Sequence, residues 1–168
     1  MKVKELLKRR VKSCTPMTSL DAVGKIMWES DCGAVPVVNA DGKAVGIVTD
    51  RDLAMAMAAK NRGASQIMVR ELLDGTLFSC AADDDVSAAI QKMRTHRVRR
   101  LPVIDAEGQV LGILSLKDLA AATIPGTGAD ASELSYENLA LTLKAVCKTR
   151  AESGESVPQW PWVNASER

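Results

Sequence analysis

Aromatic residues are nearly missing from this chain: one Phe, one Tyr and three Trp make up 3% of its 168 residues. A core must therefore be filled by Val, Ile, Leu, Met and Ala, and few rings are on hand to stack nucleic-acid bases. His96 is the only histidine, and the four cysteines, Cys14, Cys32, Cys80 and Cys147, form no CxxC pair. That spacing argues against a zinc site. A disulfide framework is equally unexpected, because a chain of this length can fill a core without staples. No apolar run approaches the roughly 18 residues of a membrane span. The stretch from Met1 to Lys12 is basic but lacks the apolar run of a secretory signal, so a cytoplasmic location is expected. The net charge is +1, which gives no bulk attraction to polyanions. Neither membrane nor nucleic acid is an expected partner. No base–nucleophile pair or metal cluster is visible, so neither catalysis nor a catalytic cofactor is expected.

What the chain does have is a repeat. Shifted by 66 residues it lands on itself without a gap. Val3-Lys4-Glu5-Leu6-Leu7 falls on Val69-Arg70-Glu71-Leu72-Leu73, and Ser13-Cys14 on Ser79-Cys80. Val35-Pro36-Val37-Val38 falls on Leu101-Pro102-Val103-Ile104, and Val45-Gly46-Ile47-Val48-Thr49 on Leu111-Gly112-Ile113-Leu114-Ser115. Asp52-Leu53-Ala54 falls on Asp118-Leu119-Ala120. Residues 1–66 and 67–132 are thus two copies of one unit, and 133–168 are an extension.

Each copy reads as βαββα. Val3–Leu7 is a short helical lead-in, and Pro16 biases the residue before it toward extended structure around Cys14 and Thr15. Leu20, Val23 and Met27 recur at helical spacing, capped by Thr18 or Ser19; Val86, Ala89, Ile90 and Met93 repeat the face, with Asp84 or Asp85 at the cap. Two apolar strands then flank a turn with glycine, Asn39-Ala40-Asp41-Gly42 or Asp105-Ala106-Glu107-Gly108. Each hairpin is apolar on both faces and should lie centrally in a sheet. Helices follow over 50–60, stopped by Asn61-Arg62-Gly63, and over 117–123, stopped by Ile124-Pro125-Gly126. One copy alone has too little core, so the class expected is α+β, with the two copies packed as a pseudo-twofold pair.

The paired strings Gly46-Ile47-Val48-Thr49-Asp50-Arg51-Asp52 and Gly112-Ile113-Leu114-Ser115-Leu116-Lys117-Asp118, each preceded by its Val-Pro or Leu-Pro strand, resemble the tandem CBS (cystathionine-beta-synthase) domain pair, or Bateman module. The resemblance covers about residues 1–124. It implies clefts between the repeats for an adenosine-containing ligand: AMP, ADP, ATP, NAD or S-adenosylmethionine. It further implies a regulatory role and frequent dimerisation, so a homodimer is expected, with a separate effector protein or another subunit to read the signal. By resemblance Asp52 and Asp118 take ribose hydroxyls, and Thr49 and Ser115 help hold phosphate. The backbone at Cys14, Thr15 and Pro16, and at Cys80, Ala81 and Ala82, meets the adenine edge. Val35 and Leu101, beside Pro36 and Pro102, wall the base.

Simple chemistry agrees with these roles but also offers plainer ones. A carboxylate accepts from two vicinal hydroxyls, amides at a helix start suit phosphate, and Arg51 and Lys117 add charge beside them. Yet Thr49 with Asp52, and Ser115 with Asp118, are equally capping boxes. A structural or interaction protein without ligand therefore stays open as the second reading. The cluster His96-Arg97-Val98-Arg99-Arg100 aligns with Ser30-Asp31-Cys32-Gly33-Ala34 of copy one, which carries no positive charge, so the two clefts are electrostatically unequal. Arg99 and Arg100 either bind phosphate, stay solvated or pair with Asp83–Asp85. Cys14 and Cys80 read as core residues. In the extension, residues 133–150 suggest a helix, and Trp160 and Trp162 a segment that docks on the protein's surface or on a second subunit or, if exposed, serves as a recognition peptide.

Overall fold

The computed structural model describes residues 1–9, 11–123, 134–148 and 152. In chain order the elements are β1 (Lys8–Arg9), α1 (Leu20–Glu29), β2 (Ala34–Val38), β3 (Ala44–Thr49), α2 (Asp50–Lys60), β4 (Cys80–Ala81), α3 (Val86–His96), β5 (Arg100–Ile104), β6 (Val110–Ser115), α4 (Leu116–Ala121) and α5 (Tyr136–Cys147). Single 3-10 turns at Val3–Glu5 and Val69–Glu71 open the two copies. The fold is α+β with repeated units and a C-terminal helix, as the repeat predicts. Trp160 and Trp162, and the Ile124-Pro125-Gly126 stop, lie outside the described residues.

The chain divides into two compact units, and neither is one copy of the repeat. The copy-two unit gathers the described residues of 1–10, 78–107 and 111–157; the copy-one unit gathers 11–77 and 108–110. Each unit thus holds the lead-in of the other copy. In the copy-two unit Val3 N donates to Asp84 O, Lys4 N to Ala82 O and Val86 N to Met1 O. In the copy-one unit the equivalent bonds run from Val69 N to Thr18 O, Arg70 N to Pro16 O and Leu20 N to Ile67 O. The exchange is reciprocal, bond for bond. Periodicity cannot reveal it, because both lead-ins carry the same residue pattern.

The copy-two unit holds a four-stranded sheet in the order β1-β6-β5-β4. β1 runs antiparallel to β6, with Lys8 opposite Ile113 and Arg9 opposite Gly112. β4 runs parallel to β5, with Cys80 opposite Val103. The β5–β6 hairpin is therefore central, which accounts for its two-sided apolar character. Val3, Val86, Met93, Leu101, Val103 and Leu114 are fully buried in its core; each contributes about 2 kcal/mol of transfer free energy. α5 packs against α3. Its N-cap Ser135 accepts from Asn138 N, and Leu134 joins the core. Arg94 of α3 donates from Nη2 to Asn138 O at 2.7 Å and from Nε to Thr142 Oγ1 at 2.9 Å. The Nε bond gives a donor to a hydroxyl that is itself fully buried and that donates in turn to Asn138 O.

In the copy-one unit β2 pairs antiparallel with β3, Ala34 opposite Thr49 and Val35 opposite Val48. Cys14 lies parallel to β2: its N–H donates to Pro36 O and its carbonyl accepts from Val38 N. Leu20, Val23, Val35, Val37, Val48, Ile67 and Val69 fill this core.

Some local expectations need correction. Ser19 and Asp85 occupy the N-cap positions of α1 and α3, but neither side chain makes the capping bond. Thr18 Oγ1 instead takes Thr15 N, and Asp84 Oδ2 takes Ala81 N. The stop expected at Asn61-Arg62-Gly63 is found, with Asn61 in the left-handed conformation that ends α2, at φ 46°; asparagine tolerates that region.

Candidate functional site

In each unit a strand–helix junction carries the capping pair, and the neighbouring strands carry other expected site residues. In the copy-one unit β3 runs straight into α2 at Thr49. Asp52 Oδ2 accepts from Thr49 N at 2.8 Å and from Thr49 Oγ1 at 2.6 Å, and Asp52 N donates to Thr49 Oγ1 at 3.3 Å. This is a closed capping box. Val35 and Pro36 are buried beside it on β2, and Cys14 flanks Pro36 on the far side. Thr15 is exposed in the following turn, and Pro16 lends its carbonyl to Arg70.

The copy-two unit repeats the arrangement. Asp118 Oδ2 accepts from Ser115 N at 2.8 Å and from Ser115 Oγ at 2.5 Å. Leu101 and Pro102 are buried on β5, and Cys80 and Ala81 lie alongside on β4. Arg99 is fixed next to the box by its carbonyl, which accepts from Leu116 N at 3.0 Å.

In both boxes one carboxylate oxygen does the capping. Among the described residues the other, Oδ1, accepts no bond from protein, so capping and ribose recognition are compatible roles for Asp52 and Asp118. The hydroxyls differ: each of Thr49 and Ser115 already gives its one proton to the carboxylate, so toward a phosphate it has no second proton to give.

The expected amide cradle at the start of α2 is closed. Asp50 N donates to Gly33 O, Arg51 N to Asp50 Oδ1 at 2.8 Å, and Asp52 N to Thr49 Oγ1. All three first-turn amides are satisfied within the protein, which corrects the expectation that they are free for phosphate. Copy two carries buried Leu116 where copy one carries Asp50, so no carboxylate takes the Lys117 amide there. The difference is written in the aligned strings; its consequence emerges only once Asp50 is seen on the amide.

Charge sharpens the contrast. Asp83, Asp84 and Asp85 pair with Lys4 at 2.7 Å, Lys92 at 3.8 Å and Lys2 at 2.8 Å. They do not pair with Arg99 or Arg100, which corrects that alternative. Among the described residues Arg99, exposed, and Arg100, half-buried, stand outside every ion pair. Lys117 is exposed as well. The copy-two half-site is cationic, and the copy-one half-site offers Arg51 beside Asp50. Burial pushes the thiols of Cys14 and Cys80 up to about 11, so both stay protonated and inert at neutral pH. His96 stacks on Phe78 with ring centroids 3.8 Å apart. Among the described residues no helix is long and apolar enough to cross a membrane.

Comparison with known proteins follows the same line. The CBS domain family matches residues 3–59 and 64–124. The CBS domain-containing protein YhcV of Bacillus subtilis is 30% identical over 139 residues, covering 82% of this chain and 97% of that protein. Other curated relatives are longer, and the chain spans 60% of one and 23% of another. Among solved structures, the CBS domain protein PAE2072 from Pyrobaculum aerophilum, complexed with AMP, is 25% identical with a TM-score of 0.65, covering 71% of this chain and 90% of that one. The CBS domain pair of MJ0100, in complex with 5-methylthioadenosine and S-adenosyl-L-methionine, is 25% identical with a TM-score of 0.66, covering 72% and 94%. Pairs of this kind are regulatory modules without catalysis of their own. Two family matches in register, on two boxes of the same geometry, show that the chain belongs to the CBS domain family as a tandem pair, a Bateman module.

Proposed function

We propose that this chain is a cytoplasmic sensor of an adenosine-containing ligand (AMP, ADP, ATP, NAD or S-adenosylmethionine) that pairs with a second copy of itself and signals to a separate effector protein. The carrying observation is the unequal pair of half-sites. Copy two sets the backbone of Arg99 beside the Ser115–Asp118 box, with Leu116 in place of an aspartate, and among the described residues Arg99 and Arg100 stand outside every ion pair. The phosphate of a nucleotide belongs there, and the ribose belongs on Asp118 Oδ1. The base belongs toward the exposed backbone edge at Ala81, because Leu101 is fully buried in the core and leaves no surface for it. Copy one, with Asp50 beside Arg51, suits the uncharged part of a nucleoside or a cationic sulfonium better than a phosphate. The ligands named for PAE2072 and MJ0100, AMP and two sulfur-containing adenosines, support the adenosine class.

Signalling requires the ligand to bind one arrangement of the two repeats more tightly than another, and the shift cannot exceed that difference in affinity. Calorimetric titration with AMP, ATP, NAD and S-adenosylmethionine tests the reading. A saturable heat with at least one, accompanied by a raised unfolding temperature, is expected. No heat with any of them overturns it. Both boxes are closed by the protein's own groups, and this favours one second reading, a purely structural pair. On that reading Asp52→Ala and Asp118→Ala lose about 1 kcal/mol of stability each and no affinity, because there is none to lose.

A further inference from the structure

α5 is a helix of 12 residues with one buried side. That side sets Leu139 and Val146 against the core cluster that holds Leu116 and Leu119. Tyr136, Leu141 and Leu143 stay exposed. A segment of this length is marginal as a helix in water on its own. Docking and helicity are therefore one equilibrium: against α3 the segment is a helix, and away from it the helix melts.

The anchor of α5 is Arg94, in the last turn of α3, whose guanidinium takes hold of Asn138 O and Thr142 Oγ1. Copy one has Trp28 at the matching position, so that fork belongs to copy two. A short turn leads from Arg94 to the two cations assigned to phosphate, and backbone bonds tie it down. Arg97 closes α3 in the left-handed conformation, at φ 53°, Val98 N donates to Met93 O at 3.1 Å, and Arg99 O accepts from Leu116 N at 3.0 Å. Leu116 is buried in the cluster against which α5 packs. One hook thus carries the grip on α5 at one end and Arg99 and Arg100 at the other. It also crowds the guanidinium groups of Arg94, Arg97, Arg99 and Arg100 into one stretch of chain, where like charges repel.

We propose that α5 is a strap set by the ligand. A phosphate held by Arg99 and Arg100 relieves the repulsion, fixes the turn after α3 and so favours α5 docked on Arg94; without phosphate α5 undocks and unwinds more often. The strap rests on the phosphate seat proposed above for copy two, and adds the element that reports its occupancy. Docked and melted α5 present different surfaces, which gives the signal a route to an effector. Arg94 touches no ligand and is a positioning residue. The coupling is reciprocal: the factor by which phosphate tightens α5 is the factor by which docked α5 tightens phosphate.

Hydrogen–deuterium exchange of the α5 amides, read by mass spectrometry on the full chain, tests the strap beside calorimetry with AMP and adenosine. Saturating AMP is expected to slow exchange in α5 by roughly fivefold or more, the lower end of ordinary coupling between sites. Adenosine, which lacks the phosphate, is expected to change it little. Arg94→Ala is expected to weaken AMP by a similar factor and to leave adenosine unchanged, so the preference for AMP shrinks. A change that merely loosened the fold would weaken both ligands. Thr142→Val keeps the side-chain volume, removes the acceptor of Arg94 Nε and is expected to act in the same direction, which covers the case of an Arg94→Ala chain that fails to fold. AMP that binds without slowing α5, or an AMP-to-adenosine preference that the folded variants keep intact, overturns the strap while the phosphate seat stands. A wild type that takes up no AMP overturns the seat and the strap with it.

Discussion

Gly46 and Gly112 occupy the same step of the two copies, yet a methyl group would meet different neighbours there. At Gly46 it would lie 2.7 Å from Cδ2 of Leu73, the end of a side chain that can turn away. At Gly112 it would collide with the carbonyl of Lys8 and with Leu7. Leu7 and Leu73 are the same position of the two exchanged lead-ins, so each glycine makes room for the lead-in borrowed from the other copy. Gly112→Ala is expected to cost about 2–3 kcal/mol in chemical denaturation and Gly46→Ala about 1 kcal/mol, because a strand backbone yields less than a leucine tip. Glu71 supplies a pH signature. Burial opposes its ionisation, but the Met68 N–H, Lys60 and Arg62 outweigh that cost and hold its pKa at about 2 against an ordinary 4.5. A depressed pKa contributes stability that is complete above the ordinary value and lost as pH falls through 4.5 toward 2. Glu71→Gln should therefore lose about 1–2 kcal/mol at pH 7 and much less near pH 2, read from denaturation at the two pH values. Among the described cysteines, exposed Cys147 should alkylate readily in the native protein, while Cys14 and Cys80 should react only on unfolding, as mass spectrometry would show.

Elements differ in how much of their origin was legible. The hairpins were clear from Val-Pro and Leu-Pro strands joined through glycines, and Gly42 and Gly108 do take positive φ, 77° and 85°. The capping boxes at Thr49 and Ser115 were clear from spacing alone. β1 was not, since two residues, Lys8 and Arg9, have no apolar pattern and become a strand only by pairing with β6. The closure of the α2 amides is illegible in the sequence for a similar reason: Asp50 bonds its own neighbour, a local event that periodicity does not register. α5 was visible as a helix, but its partner was not, because Arg94 looks like one more member of a basic surface. Its guanidinium bonds to Asn138 and Thr142 make it an anchor. Arg94→Ala should cost about 1–2 kcal/mol in thermal unfolding, since Thr142 is fully buried and loses a charged donor.

At the scale of the molecule the exchange of lead-ins is the feature with the widest consequence. Residues 1–66 taken alone lack Ile67 and Val69, both fully buried in the copy-one core. A fragment 1–66 should therefore lack cooperative unfolding, and a fragment 11–77, which follows the compact unit, should retain more secondary structure by circular dichroism. The duplicated fold then presents two boxes of like geometry and unlike charge, and the functional proposal depends on that inequality. The most direct test is calorimetric titration of AMP and adenosine into the wild type, Asp118→Ala and the Arg99→Ala/Arg100→Ala double variant. AMP is expected to bind the wild type about tenfold or more tighter than adenosine, as charge-assisted bonds to phosphate imply. The arginine variant should erase that advantage, and Asp118→Ala should weaken both ligands. AMP binding that is no tighter than adenosine, or that survives both changes undiminished, contradicts the account.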